Sequence, residues 1–174
     1  MTTRDAFESA FRRLFGEQFG SLFRYLDRLS GDPELAADLA QEAFVRLYAR
    51  GSIPDDARAW LATVASNLFR DERRRAHRRT RILAAHQPAE LVSTPPSLAP
   101  DSAVLAEERR AAVRAALERL SLRDRELLLL RHSGYSYREI ARALGIPETS
   151  VGTMLVRATA AFRAAFAGSS HALE

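Results

Sequence analysis

The side chains of this chain that could do chemistry are arginines, and what they offer is recognition of anions rather than the making of bonds. All 26 basic residues are Arg, and there is no Lys. Eight of them lie in residues 58–83 against two acids, net +6, directly after residues 1–57 with net −3. Residues 84–106 are net −2 and residues 107–174 net +3. A compact basic block can neutralise phosphates at one site. As a solvated helix end it would do no more than stabilise a C-terminal dipole. Its density favours an anionic partner, with nucleic acid first and an acidic protein second.

A second set of residues points the same way. Residues 136–157 read as a helix-turn-helix. Ser136 and Glu139 have capping-box spacing, Ala141 is small where two helices must cross, and Gly145 suits a turn of positive φ. Ile140, Leu144, Ile146, Val151 and Met154 take the inward positions, and Pro147 suits the first turn of the second helix. An ordinary helical hairpin would need all of these to coincide by chance.

Catalysis has no visible carrier. There is no Cys, so disulfides and thiolate metal sites are excluded, and the four His (His77, His86, His132, His171) are far apart. No phosphate loop, nucleophile elbow or His-Glu-x-x-His occurs. The expectation is therefore a non-enzyme without metal or cofactor. With no bilayer-length apolar run or signal segment, it is also expected to be cytoplasmic and not inserted in a membrane.

The elements that must position these residues are helices, and the chain reads as all-α. Residues 4–29 carry Phe7, Phe11, Leu14, Phe15, Phe19, Leu22, Phe23, Leu26 and Leu29 at helical spacing, with Gly16 and Gly20 as points of bending or breakage. Asp32, Pro33 and Glu34 start a helix over 33–50 that buries Leu35, Leu39, Ala43, Phe44 and Leu47. Its other face presents Asp38, Gln41, Glu42 and Val45, either a solvated polar face or a docking face for a partner helix. After a loop at 51–56, a helix over about 57–79 has Trp60, Leu61, Val64, Leu68 and Phe69 inward. Arg58, Asn67, Arg70, Arg73, Arg74, Arg75, Arg78 and Arg79 face outward or crowd its C-terminal end. Pro88, Pro95, Pro96 and Pro100 make residues 83–101 a linker. The expected organisation is two small helical domains, 1–82 and 102–168, with helices near 102–120 and 122–132 before the helix-turn-helix, and a tail at 169–174.

This organisation resembles the extracytoplasmic-function (ECF) class of bacterial RNA polymerase sigma factors, from about Phe7 to Phe166. Asp38, Gln41, Glu42 and Phe44 match the Asp-x-x-Gln-Glu-x-Phe pattern of that family's polymerase-binding helix, within 31–48. Residues 57–71 are similar to its promoter-melting helix, and residues 116–131 lead into its helix-turn-helix.

The resemblance implies a sigma factor that directs core RNA polymerase to specific promoters. Asp38, Gln41, Glu42 and Val45 would dock on the β′ clamp helices. Ser52, Ile53, Asn67, Arg70, Asp71, Arg73, Arg74, Arg75 and Arg78 would engage the −10 strand, where stacking and Arg–phosphate contacts suit a single strand. The recognition helix, about 147–163, would enter the −35 major groove through Thr149, Ser150, Gly152, Thr153 and Arg157. The second domain would also meet the polymerase β flap, and an anti-sigma factor is a possible further partner.

One departure stands out. Family members commonly carry Lys or Arg on the exposed face of that helix; here it shows Glu148, Thr149, Gly152, Thr153 and Val156 before Arg157. A bidentate Arg–guanine contact is not available from its front. Two alternatives therefore stay open: a stand-alone helix-turn-helix regulator, and a sigma-like protein-interaction module without −35 reading.

Overall fold

A computed structural model describes residues 3–84 and 101–170, and among them every regular element is a helix. In chain order they are α1 (Thr3–Ser30), α2 (Pro33–Arg50), α3 (Ala57–Ala84), α4 (Asp101–Glu118), α5 (Leu122–His132), α6 (Tyr137–Leu144) and α7 (Glu148–Ser170). The all-α expectation holds. Most of the linker expected at 83–101, including its four prolines, and part of the tail at 169–174 lie outside the described residues.

Local chemistry explains the helix boundaries. Asp32 Oδ1 accepts from the N–H groups of Glu34 and Leu35 at 3.0 and 3.1 Å, with Pro33 opening the first turn of α2. Gly51 stops α2 in the left-handed region at φ 72°. Asp56 caps α3 by accepting from the N–H of Ala59 at 3.1 Å. Gly16 and Gly20 do not break α1, which is continuous. Each glycine costs a helix interior about 1 kcal/mol relative to Ala, and the packed aromatic stripe offsets this. Phe11 and Phe15 meet Phe44 of α2 edge-on, at ring centroids 6.1 and 4.9 Å apart. α3 runs five residues past its expected end, and in the turns before that end Glu72 pairs with Arg75 at 3.6 Å and Arg79 at 2.7 Å.

The core of the first half joins α1, α2 and α3. Tyr25, Leu26, Ala36, Ala40, Ala43, Leu47, Ala62 and Ala65 are wholly buried. Several of these are alanines, which let the three helices approach closely. The buried hydroxyls of Tyr25 and Ser66 satisfy each other at 2.8 Å across α1 and α3. In the second half, α4 and α5 pack on α7, with Leu127, Leu130, Ile140 and Val151 fully buried. The two halves are not apart: α6 packs on α3 and α5 on α1, so the buried apolar residues form one continuous cluster.

Candidate nucleic-acid interface

The helix-turn-helix forms as its sequence dictates. Ser136 Oγ accepts from the N–H of Glu139 at 3.3 Å while Glu139 Oε2 accepts from the N–H of Ser136 at 2.6 Å, so both halves of the capping box are present. Gly145 turns the chain at φ 62°. Pro147 stands just before α7, not within it, and its carbonyl accepts from Ser150 N–H at 3.0 Å. On α7, Thr149, Thr153 and Arg157 are exposed, and Ser150 and Gly152 are half-buried. Val156 is the most exposed large apolar side chain described, at 71%. A Cβ on Gly152 would stand 3.5 Å from the ring of Tyr137, an ordinary contact, so this glycine is not required by packing.

The face expected to dock a partner helix is open. Asp38 and Gln41 are exposed, Glu42 is half-buried and holds Arg46 at 2.8 Å, and Val45 is 53% exposed among them. A shallow groove runs from this face to α3 and brings Asp71, Glu72 and Arg75 alongside Asp38 and Glu42. Asp71, expected at promoter DNA, thus sits on the acidic, α2-facing side of α3. It also pairs with Arg74 at 3.2 Å, so the acidic groove and the arginine-bearing face of α3 adjoin at this residue.

The remaining arginines of α3 divide by their partners. Arg74 pairs with Asp71 at 3.2 Å, whereas Arg73 and Arg78 are exposed and make no ion pair within 4 Å among the described residues. Ser52 is exposed and Ile53 half-buried in the loop before the helix. Asn67 accepts from Arg70 at 3.2 Å, and Arg70 reaches Glu126 of α5 at 2.8 Å. Glu126 is 1% exposed. Burial holds its carboxyl above the usual carboxylate range, with the Arg70 hydrogen bond and charge pulling the other way.

Two residues of this region were not singled out by sequence reasoning in the positions they take. Arg58 donates to the carbonyls of Ser133 and Gly134 at 2.9 and 3.1 Å and lies 4.1 Å over the Tyr135 ring. Nothing in the helix pattern separates it from its neighbours. Glu126 did leave a signal: it falls on the apolar stripe of α5, with Leu122 four residues before it and Leu129 and Leu130 three and four after. A second, larger groove lies between α4, α5 and α7, bordered by the end of α1. Leu117, Leu155 and Phe162 form its apolar part, and Arg28, Arg110 and Arg163 its basic part. Among the described residues no His, Asp or Glu cluster could hold a metal ion, and no helix is long and apolar enough to cross a membrane.

A helix with an exposed acidic face, an arginine-bearing helix and a helix-turn-helix follow one another in that order, and comparison with known proteins gives the order its class: a sigma factor of transcription initiation. Family comparison agrees: residues 15–79 match sigma-70 region 2 and residues 110–161 match sigma-70 region 4. The ECF RNA polymerase sigma factor SigL of Mycobacterium tuberculosis is 36% identical over 157 residues, covering 87% of this chain and 86% of that protein. The RNA polymerase sigma factor CarQ of Myxococcus xanthus is 33% identical over 147 residues, covering 82% and 81%. The chain belongs to the ECF class of RNA polymerase sigma factors. Its fold is that of the Bartonella quintana sigma factor RpoE, solved with the anti-sigma factor NepR, at a TM-score of 0.68 and 21% identity over 90% of this chain and 96% of that one. CnrH, solved with the cytosolic domain of CnrY, is similar at a TM-score of 0.65 and 22% identity, covering 93% and 90%.

Proposed function

We propose that this sigma factor directs core RNA polymerase to its promoters with the work divided between residues 1–82 and 102–168, joined by a linker at 83–101. The observation that carries the reading is the placement of two unlike faces on adjoining helices. Asp38, Gln41, Glu42 and the exposed Val45 on α2 form a protein-docking face, to which Asp71 and Glu72 of α3 add charge. Arg73, Arg74 and Arg78 on α3, with Asn67, Arg70 and the loop at Ser52–Ile53, form a strand-binding face. Polymerase held at the first face fixes DNA at the second, and binding energy offsets the unstacking of the −10 bases. No bond is made or broken by the protein itself.

The recognition helix reads the −35 region by hydrogen bonds from Thr149, Ser150 and Thr153, close backbone approach at Gly152, and one charge at Arg157. Val156 adds an apolar contact of the kind that suits a thymine methyl. The groove between α4, α5 and α7, apolar with arginines beside it, suits an acidic amphipathic segment of an anti-sigma factor. The test is reconstituted transcription from a library of promoter fragments with purified chain and core polymerase. Initiation must require the chain, and Arg73→Ala with Arg74→Ala must weaken promoter opening while leaving core binding intact. Equal loss of both activities would sink the division of labour. Core binding without initiation would favour the interaction-module reading, and no core binding the stand-alone regulator.

A further inference from the structure

We infer that the protein-docking face of α2 continues onto α1, where Phe15 and Gly16, together with Tyr48 of α2, form an apolar shoulder for the same partner. Among the described residues six large apolar side chains are exposed, and three of them lie on this pair of helices: Phe15 at 40%, Val45 at 53% and Tyr48 at 47%. At about 100° per residue, Tyr48, Gln41, Val45, Asp38 and Glu42 follow one another round α2 over about 120°. Phe15 joins the series at the Tyr48 end. Its ring meets Phe44 edge-on at 4.9 Å, and Phe11, one turn before it, meets Tyr48 at 5.2 Å. The surface therefore grades from the carboxylates of Asp38, Glu42 and Glu72, through Gln41 and Val45, to open aromatic rings.

Gly16 supplies an independent observation. Glycine disfavours a helix interior, yet α1 runs through it unbroken. The residue is exposed, and a Cβ there would meet nothing of this chain within 4 Å. Packing inside the molecule does not require the missing side chain, so the room beside Phe15 serves an approach from outside. Chemistry selects what approaches. A nucleic-acid strand could stack on the rings but would meet the carboxylates beyond Val45, in a region, residues 1–57, of net charge −3. Arg4 and Arg12 of α1 share Glu8, at 3.4 and 3.9 Å. A helix with aliphatic side chains along one edge and basic ones along the other complements both sides of the face. That partner is the polymerase's β′ clamp helices, so the inference rests on the docking reading of α2 and extends it to α1.

The experiment separates the two. Binding of the full chain to core RNA polymerase is measured by competition with the fluorescently labelled parent, for Gly16→Leu, for Tyr48→Glu and for Asp38→Arg, the last as the marker of the docking reading. The denaturant midpoint of each variant is recorded alongside. Gly16→Leu should raise the midpoint, because leucine favours the helix and finds open space, and should still weaken core binding about tenfold, because its side chain fills the room the partner needs. Tyr48→Glu should weaken binding by a similar factor, through a charge set against the partner's apolar edge. If Gly16→Leu binds core as the parent does while Asp38→Arg is weakened, the inference is overturned and the docking reading of α2 stands. If Gly16→Leu and Tyr48→Glu are weakened and Asp38→Arg is not, the shoulder on α1 stands and the reading of Asp38 falls. Parent-like binding by all three sinks both. A lowered midpoint for Gly16→Leu would assign the glycine to the fold and overturn the inference. So would a Gly16→Leu chain that keeps core binding but loses affinity for a single-stranded DNA 20-mer, since the shoulder would then belong to the strand.

Discussion

The two helices proposed to meet nucleic acid, α3 and α7, carry opposite chemistry. α3 carries a dense arginine run, and several of its charges are already spoken for by Glu72, Asp71 and Glu126. α7 presents Thr149, Gly152, Thr153 and Val156, with Arg157 the first charge of its own sign for DNA. The difference teaches where affinity and where discrimination reside. Charge supplies affinity that is blind to sequence and sensitive to salt, whereas uncharged groups against base edges add little affinity but depend on the base. The first half should therefore set how tightly the promoter is held, and the second should adjust which promoter it is.

The comparison breaks most visibly in the core beneath it. Phe44 stacks edge-on against Phe11 and Phe15 and is 2% exposed, so Phe44→Ala should cost about 3–5 kcal/mol in denaturant unfolding. It should disable polymerase docking along with strand binding, since α2 and α3 share that core. A loss confined to the α7 function would contradict the placement of both faces on the first half. Next in size, removing Arg73, Arg74 and Arg78 together should lower the salt slope of promoter binding by about 2, at about 0.7 per single-strand phosphate contact. Arg157→Ala should lower it by no more than about 0.9, the value for one duplex contact. Equal slopes would erase the distinction between the two helices.

Smaller again, Val156→Ala should change initiation by only a few-fold, and only on promoters with thymine at the contacted −35 position. A uniform loss across promoters would assign Val156 to protein contact instead. The smallest expected effect concerns the packing of the two halves. Tyr25 on α1, Arg70 and Arg73 on α3, and Arg123 on α5 surround Glu126 electrostatically. Because burial raises its pKa, the carboxyl stabilises the packed halves at acid pH, and that contribution is lost as pH rises from the usual carboxylate value through the raised one. Stability in denaturant unfolding should fall modestly along that rise, and Glu126→Gln should flatten the trend.

Much of this was legible in the chain itself, for reasons that are local. A capping box, an αL glycine and an Asp-Pro helix start depend on residues within four positions of one another, so Ser136–Glu139, Gly145 and Asp32–Pro33 declared themselves. The exposed face of α2 was legible as a pattern at Asp38, Gln41, Glu42 and Val45. What it lacked was Glu72, 30 residues further along the chain, because adjacency across α2 and α3 leaves no mark in either helix alone. Gly16 and Gly20 misled in the other direction: a glycine's local penalty is visible in sequence, but the aromatic packing that overrides it is not.

Seven helical stretches, several of their caps, the arginine block and the sparse charge of the recognition helix are written in spacing and residue type, so the chain alone specifies them. That Asp71 lines the groove shared with α2, that Glu126 is buried, and that Arg58 and Arg70 are held by the second half are results of helix packing. Those outcomes depend on which helix face meets which neighbour at a separation of 56 residues or more for the arginine contacts, and side-chain desolvation is set by that meeting, not by the residue's own neighbours in the chain.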